Sequence, residues 1–178
     1  ARDEAAIDYY AGQMKKAVEF LEDQTGKKMD YDRLRGLTQK AKKCFDYFRQ
    51  IVDLRKLAPS PVSFVNTAKG NDMLELGGGT DMVVEYFEKL ADEIDTRQAE
   101  GIPAVPGERL RVAWWGAIPN FDTKIVRWLA QDYGVNIVVD LFTLLGPLFE
   151  TDEHLTDPLK YIARKTLSFP VVRLSGRF

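Results

Sequence analysis

Leu110-Arg111-Val112-Ala113-Trp114-Trp115 and Asn136-Ile137-Val138-Val139-Asp140-Leu141 are two short, β-prone apolar runs on either side of one amphipathic segment. Each is too short for a helix and too apolar for an exposed loop, so each predicts a buried strand. Between them, Gly116-Ala117-Ile118-Pro119-Asn120 reads as a turn with Asn120 as a helix N-cap. Phe121 to Tyr133 then repeats at Phe121, Ile125, Trp128 and Leu129, a helical stripe, and Gly134 ends it. Strand, helix and strand in so few residues form a βαβ unit, which predicts two parallel neighbouring strands. A further helix is predicted over 157–166 with Leu159, Ile162 and Ala163 inward, and Val171-Val172 is placed to begin a third strand.

The residues before this unit carry a different period. From Ala5 to Gln24, apolar residues step through Ile7, Ala11, Met14, Val18 and Leu21, a helix that Gly26 terminates. Asp30 is a candidate N-cap for a second helix from Tyr31 to about Leu57, with the stripe Leu34, Leu37, Ala41, Cys44, Phe48 and Ile51. The short link predicts an antiparallel helical hairpin. Pro59 and Pro61 stop the second helix. Residues 58–79 give mixed signals and end in Gly77-Gly78-Gly79; a third helix then runs from Thr80 to about Gln98 through Val83, Phe87, Leu90 and Ile94. The Pro/Gly segment around Gly101-Ile102-Pro103-Ala104-Val105-Pro106-Gly107 reads as a linker. The fold expected is therefore α/β: a helical region over 1–100 (hairpin and third helix), a linker over 101–108, and the opening βαβ portion of a parallel, Rossmann-like sheet over 109–178.

Composition narrows the chemistry. The chain has 178 residues, 45% of them hydrophobic and 29% charged, with 25 Lys+Arg against 27 Asp+Glu and a formal net charge of -2. Those fractions describe a folded globular chain and exclude collagen-like and disordered classes. The balanced charge removes the electrostatic argument for nucleic acid. No apolar run approaches the ~18 residues a membrane helix requires, so no membrane partner is expected. There is one Cys, Cys44, and one His, His154. A lone Cys forms no internal disulfide, which points to a reducing, cytoplasmic setting. One Cys and one His cannot ligate a structural zinc or an iron–sulfur cluster, so no metal site is expected in these residues. Cys44 lies on an apolar helical stripe and reads as an inert core thiol. His154, in Glu150-Thr151-Asp152-Glu153-His154, reads as a solvated surface side chain. The chain begins at Ala1 without a Met and stops at Phe178 soon after Phe169-Pro170-Val171-Val172, and it reads as an excerpt of a longer polypeptide.

Candidate sites are few. The triple glycine lacks the Lys-Ser/Thr end of a phosphate loop and follows no strand, so an interhelical turn is the simpler reading. The turn after the first strand is better placed, because open α/β sheets bind ligands beyond the carboxyl ends of their strands. Trp115, Gly116, Ala117, Ile118, Pro119 and Asn120 are therefore the candidate substrate-binding residues. Trp114 and Trp115 should point to opposite faces of the strand and pack into the core on both sides. No catalytic residue is identified.

The order of segments also resembles a known family. It runs from Phe20-Leu21-Glu22-Asp23-Gln24-Thr25-Gly26-Lys27-Lys28-Met29 and Asp32-Arg33-Leu34 to Leu54-Arg55-Lys56-Leu57-Ala58-Pro59-Ser60-Pro61. It continues through Arg109-Leu110-Arg111-Val112-Ala113-Trp114-Trp115-Gly116-Ala117-Ile118-Pro119, then Tyr133-Gly134-Val135-Asn136-Ile137-Val138-Val139-Asp140, and Asp157-Pro158-Leu159. Over about residues 14–170 this is similar to the central part of a subunit of the 2-hydroxyacyl-CoA dehydratase and benzoyl-CoA reductase family. The resemblance implies an oxygen-sensitive enzyme acting on an acyl-CoA, built from two homologous subunits and served by an ATP-dependent activator protein. It implies a [4Fe–4S] cluster in the full-length subunit, whose cysteine ligands are not in this chain: Cys44 matches no ligand position, and Phe169-Pro170 lacks the Cys-Pro pair of relatives. The activity it implies first is radical elimination of water from a 2-hydroxyacyl-CoA thioester, with ring reduction of the benzoyl-CoA reductase type as the alternative. Such chemistry is beyond side-chain acids and bases and has to come from a cofactor. A different class stays open beside it, a non-catalytic interaction module that docks through its helices.

Overall fold

The computed structural model describes residues 4–116, 122, 124–141 and 156–168. In chain order it contains α1 (Glu4–Thr25), α2 (Tyr31–Leu54), α3 (Phe64–Gly77), α4 (Asp81–Ala99), β1 (Leu110–Trp114), α5 (Lys124–Tyr133), β2 (Val135–Asp140) and α6 (Pro158–Ser168). The chain divides into two compact units, 1–40 with 148–178, and 41–147.

In the first unit α1 packs along α6. Ile7 of α1 and Tyr161 and Ala163 of α6 are buried. Outside that seam the Arg164 guanidinium forks onto the Glu4 carboxylate at 2.8 and 2.7 Å, and Lys160 meets Asp8 at 2.6 Å. The hydrogen bond from Arg164 holds the Glu4 carboxyl below the usual carboxylate range. Gly26 ends α1 at φ 65°, and the Asp30 carboxylate accepts from Arg33 N at 2.8 Å, so both expected termini are present. The buried face of α6 is Pro158, Tyr161 and Ala163; of the expected inward residues, Ala163 is buried, and Leu159 and Ile162 are half-buried.

The second unit is built on an apolar helical core. Cys44, Phe48 and Ile51 of α2 meet Val62, Leu74 of α3, and Val83, Phe87, Leu90 and Ile94 of α4. Phe48 and Phe87 meet edge to face, with centroids 6.2 Å apart. The stripe read for α4 is buried; of that read for α2, Cys44, Phe48 and Ile51 are buried, Leu34 and Ala41 are half-buried, and Leu37 is exposed. Cys44 is fully buried, and burial pushes its thiol pKa up.

α3 lies within residues 58–79, where the sequence reading placed no element, so the helix expected third is the fourth. Its inward positions explain the omission. The buried residues are Phe64, Thr67, Gly70 and Leu74, at helical spacing, but two of them are not apolar, while apolar Leu76 is 87% exposed. Gly70 sits at a close approach: a Cβ there would stand 3.1 Å from the Phe48 ring and crowd it. Ser63 and Asn66 cap α3 reciprocally through a capping box. The glycines at 77–79 close α3 and turn into α4, whose N-cap is Thr80, so they serve as the interhelical turn.

The 101–107 segment bends at Gly101 and Gly107 (φ 68° and 67°). It is tied down midway by Ala104 N donating to Ser60 O at 2.8 Å, and by buried Val105. Beyond it β1 and β2 pair in parallel, joined through α5, as the βαβ reading requires. The register runs Leu110↔Val135, Arg111↔Asn136, Val112↔Ile137, then Ala113↔Val139 and Trp114↔Asp140, with a bulge between Val112 and Ala113. The sheet core is small: Phe64, Val126 and Ile137, with Val112 and Trp114 against it. Val126 is the buried residue of α5, whereas Ile125 and Trp128, read as inward, are 42% and 46% exposed. The inward face is rotated because Phe64, from the helix the sequence reading omitted, packs there. Phe121, the start of the expected α5 stripe, and the Val171-Val172 strand lie outside the described residues.

Candidate functional site

The carboxyl edge of the sheet is formed by Trp114, the last residue of β1, and Asp140, the last of β2, which are register partners. Trp114 is half-buried, its ring 6.4 Å from that of Phe64. Trp115 does not pack into the core as expected. The strand ends one residue earlier, and the indole is 80% exposed. Gly116 follows at φ 142°, a backbone conformation that favours glycine. The other candidate residues, Ala117, Ile118, Pro119 and Asn120, lie outside the described residues, as does His154.

Beneath this edge lies a polar arrangement that the sequence reading did not single out. Arg55, just beyond α2, is 0% exposed, and Asp140 is 2% exposed. The Arg55 Nη1 donates to Asp140 Oδ2 at 2.7 Å, and its Nε donates to the Ile137 carbonyl at 3.0 Å, with Nη2 on the same oxygen. Its guanidinium carbon stands 5.5 Å from the centre of the Phe64 ring, a cation–π contact. Burial lowers the Arg55 pKa, while the hydrogen bond and charge of Asp140 oppose that shift. A guanidinium keeps its proton regardless. Around it Arg111 donates to the Arg55 and Lys56 carbonyls at 3.3 and 3.2 Å and to Glu108 at 2.7 Å, and Asn136 Nδ2 donates to Glu108 at 2.7 Å. These bonds tie the end of α2 to the two strands from both the side-chain and the backbone side.

A signal for this pair was present. Arg55 falls four residues after Ile51 on the stripe Cys44, Phe48, Ile51, so a helix that continued would aim a cation at the core. A cation there demands a buried anion. Asp140 closes an otherwise apolar strand and is the natural candidate.

The arrangement can hold the carboxyl ends of both strands in place and present an exposed indole beside them. It offers little for acid–base or metal chemistry. Among the described residues no group of three or more His, Cys, Asp or Glu is gathered to hold a metal ion. The one thiol is sealed in the helical core.

Comparison with known proteins places the chain. A family model described as 2-hydroxyglutaryl-CoA dehydratase, D-component, matches residues 1–177. The chain belongs to this family.

The chain is 30% identical over 153 residues to a benzoyl-CoA reductase subunit of Thauera aromatica, covering 80% of the chain and 35% of that protein. It is 23% identical over 156 residues to the (R)-phenyllactyl-CoA dehydratase alpha subunit of Clostridium sporogenes, covering 84% of the chain and 37% of that protein. With the alpha subunit of (R)-2-hydroxyglutaryl-CoA dehydratase of Acidaminococcus fermentans it shares 26% identity over 124 residues, 66% of the chain and 26% of that protein. The chain thus spans about a third of the length of the curated relatives it matches. The family resemblance seen in the order of segments is borne out. No helix among the described residues is long and apolar enough to cross a membrane.

Proposed function

We propose that this chain forms the central part of a subunit of an acyl-CoA dehydratase, which removes water from a 2-hydroxyacyl-CoA thioester in a reducing, cytoplasmic setting. The observation that carries the proposal is the family match over residues 1–177, together with two dehydratase subunits among the relatives. In this reading residues 115–120 form a wall of the acyl-CoA site at the carboxyl edge of the sheet, with the Trp115 indole against the ligand. Arg55 and Asp140 act as positioning residues that hold that edge. The partners are a second homologous subunit, in line with the relatives being subunits, and an ATP-dependent activator protein.

The [4Fe–4S] cluster that the family implies does not fit the residues present. A cluster needs several thiolates, and the chain has one Cys, buried in an apolar core with its thiol pKa raised. The reading therefore assigns every cluster ligand to polypeptide outside these residues, and no catalytic step to this chain.

A second reading is favoured by one observation, the 30% identity to a subunit of a benzoyl-CoA reductase: the same segment in an enzyme that reduces an aromatic acyl-CoA. One experiment separates the two. The natural full-length protein is purified anaerobically with its partner subunit, analysed for iron and sulfide, and given a low-potential reductant and activator. It is then offered (R)-2-hydroxyacyl-CoA esters and benzoyl-CoA in parallel. Formation of a 2-enoyl-CoA supports the dehydratase reading, and a ring-reduced thioester supports the reductase reading. A cluster-loaded protein that transforms neither sinks both.

A further inference from the structure

The 41–147 unit holds a cavity of about 370 Å³ on the α5 side of β2. It is lined by the first half of β2, the start of α3, the 104–106 segment and α5. The carboxyl-edge residues Trp114 and Asp140 do not line it, so it is a different place from the proposed acyl-CoA wall. Its volume falls at the small end of the ~300–1,000 Å³ that small-molecule sites occupy.

The lining is asymmetric. Phe64, Val105, Val126 and Ala130 supply apolar walls from three different elements. Two polar side chains stand at the rim, Arg127 and Gln131. They are four residues apart on α5 and therefore side by side on one helical face. Both are exposed, and neither has a hydrogen bond or ion pair among the described residues. Of the other polar side chains of the lining, Ser63 caps α3 with Asn66, and Asn136 donates through Nδ2 to Glu108, while its buried Oδ1 has no partner among the described residues.

An apolar chamber with one unpaired guanidinium at its mouth selects for a small amphiphile of opposite charge. A guanidinium fork matches a carboxylate in geometry. A single cation balances a monoanion and leaves a phosphate dianion undercompensated. We propose that this cavity binds a small apolar carboxylic acid. The hydrocarbon body lies between Phe64, Val105, Val126 and Ala130, and the carboxylate rests on Arg127 beside Gln131.

The test uses the full-length protein with 3-phenylpropionate and its neutral analogue 3-phenylpropionamide as probes, followed by titration calorimetry and ligand-observed NMR. The acid binds the parent protein more tightly than the amide does. Arg127→Gln weakens the acid about tenfold or more, the scale of one lost charge-assisted pair, and leaves the amide unchanged. Ala130→Phe fills the chamber and abolishes both. Should that variant lose its native circular dichroism, Val105→Phe fills the chamber from the opposite wall. Three results overturn the proposal: no binding of either probe to the parent, equal affinity of the acid for the parent and Arg127→Gln, or full binding by a folded, filled variant. The first includes the case in which other polypeptide already occupies the chamber. The second includes binding of the acid at the acyl-CoA wall, so failure here leaves the proposed function standing.

Discussion

The helical core and the sheet core of the 41–147 unit solve the same problem in opposite ways. Between α2, α3 and α4, nine buried apolar residues interlock, and among the described residues the buried charges, Arg55 and Asp140, lie at the sheet instead. Among the described residues against β1 and β2, Phe64, Val126 and Ile137 are buried together, and Arg55 and Asp140 form a buried ion pair at the sheet edge. Four apolar residues around the sheet, Leu110, Trp115, Ile125 and Trp128, are exposed. The helical core is suited to holding shape. Geometry that depends on apolar packing tolerates similar shapes, whereas geometry that depends on a buried ion pair tolerates neither partner alone.

Substitution can break this contrast. The largest loss is expected from Phe87→Ala in the helical core, about 3–5 kcal/mol, read as a lower urea midpoint with an unchanged slope. Arg55→Ala should cost a comparable 3–5 kcal/mol because it strands the buried Asp140 carboxylate. The pair differs from the aromatic in its rescue: Arg55→Met combined with Asp140→Leu should recover most of that loss. A double variant as unstable as Arg55→Ala would mean that the ion pair is worth more than the hydrophobic packing that replaces it.

A smaller effect comes from the sealed thiol. Burial raises the Cys44 pKa in the folded state. Above the unfolded thiol pKa of about 8.5 the unfolded chain therefore loses a proton that the folded chain keeps. Stability is then fully present below that pH and falls as pH rises, and Cys44→Ala should flatten this alkaline limb in pH-dependent urea unfolding. The smallest effect is expected from Trp115→Ala, within about 0.5 kcal/mol on stability, as for surface substitutions generally. Under the proposed function the same change weakens acyl-CoA binding by the full-length protein. A destabilisation as large as that of Phe87→Ala would remove the distinction between the two regions.

Much of the fold was legible because periodicity and end signals agree wherever a helix or strand buries an apolar stripe. α1, α2 and α4 stand where their stripes place them, although Leu21 and Leu37 on those stripes are exposed; Gly26 and Asp30 act as read, Thr80 caps α4 rather than starting it, and the βαβ unit pairs in parallel. α3 escaped because its inward face uses Thr67 and Gly70, where shape rather than hydrophobicity is selected. The inward face of α5 was misassigned for a related reason. Ile125, Val126, Trp128 and Leu129 cover more of the helix than one stripe, and only the position of Phe64 decides that Val126 goes in. Of the candidate site, the position of the first strand was legible to within one residue at its end, but the buried pair beneath it was not used. Its two members are 85 residues apart, and neither is unusual alone.

By itself the sequence determined the class of fold, the helix ends, the parallel pairing, the sealed cysteine and the family, since each depends on local spacing or on the order of segments. Only the tertiary structure decided which face of α5 is buried, that Trp115 stays in solvent, that Arg55 finds Asp140, and that a chamber opens beside Arg127. Those outcomes depend on where distant segments meet, and a one-dimensional pattern carries no record of the partner that a side chain finds across the fold.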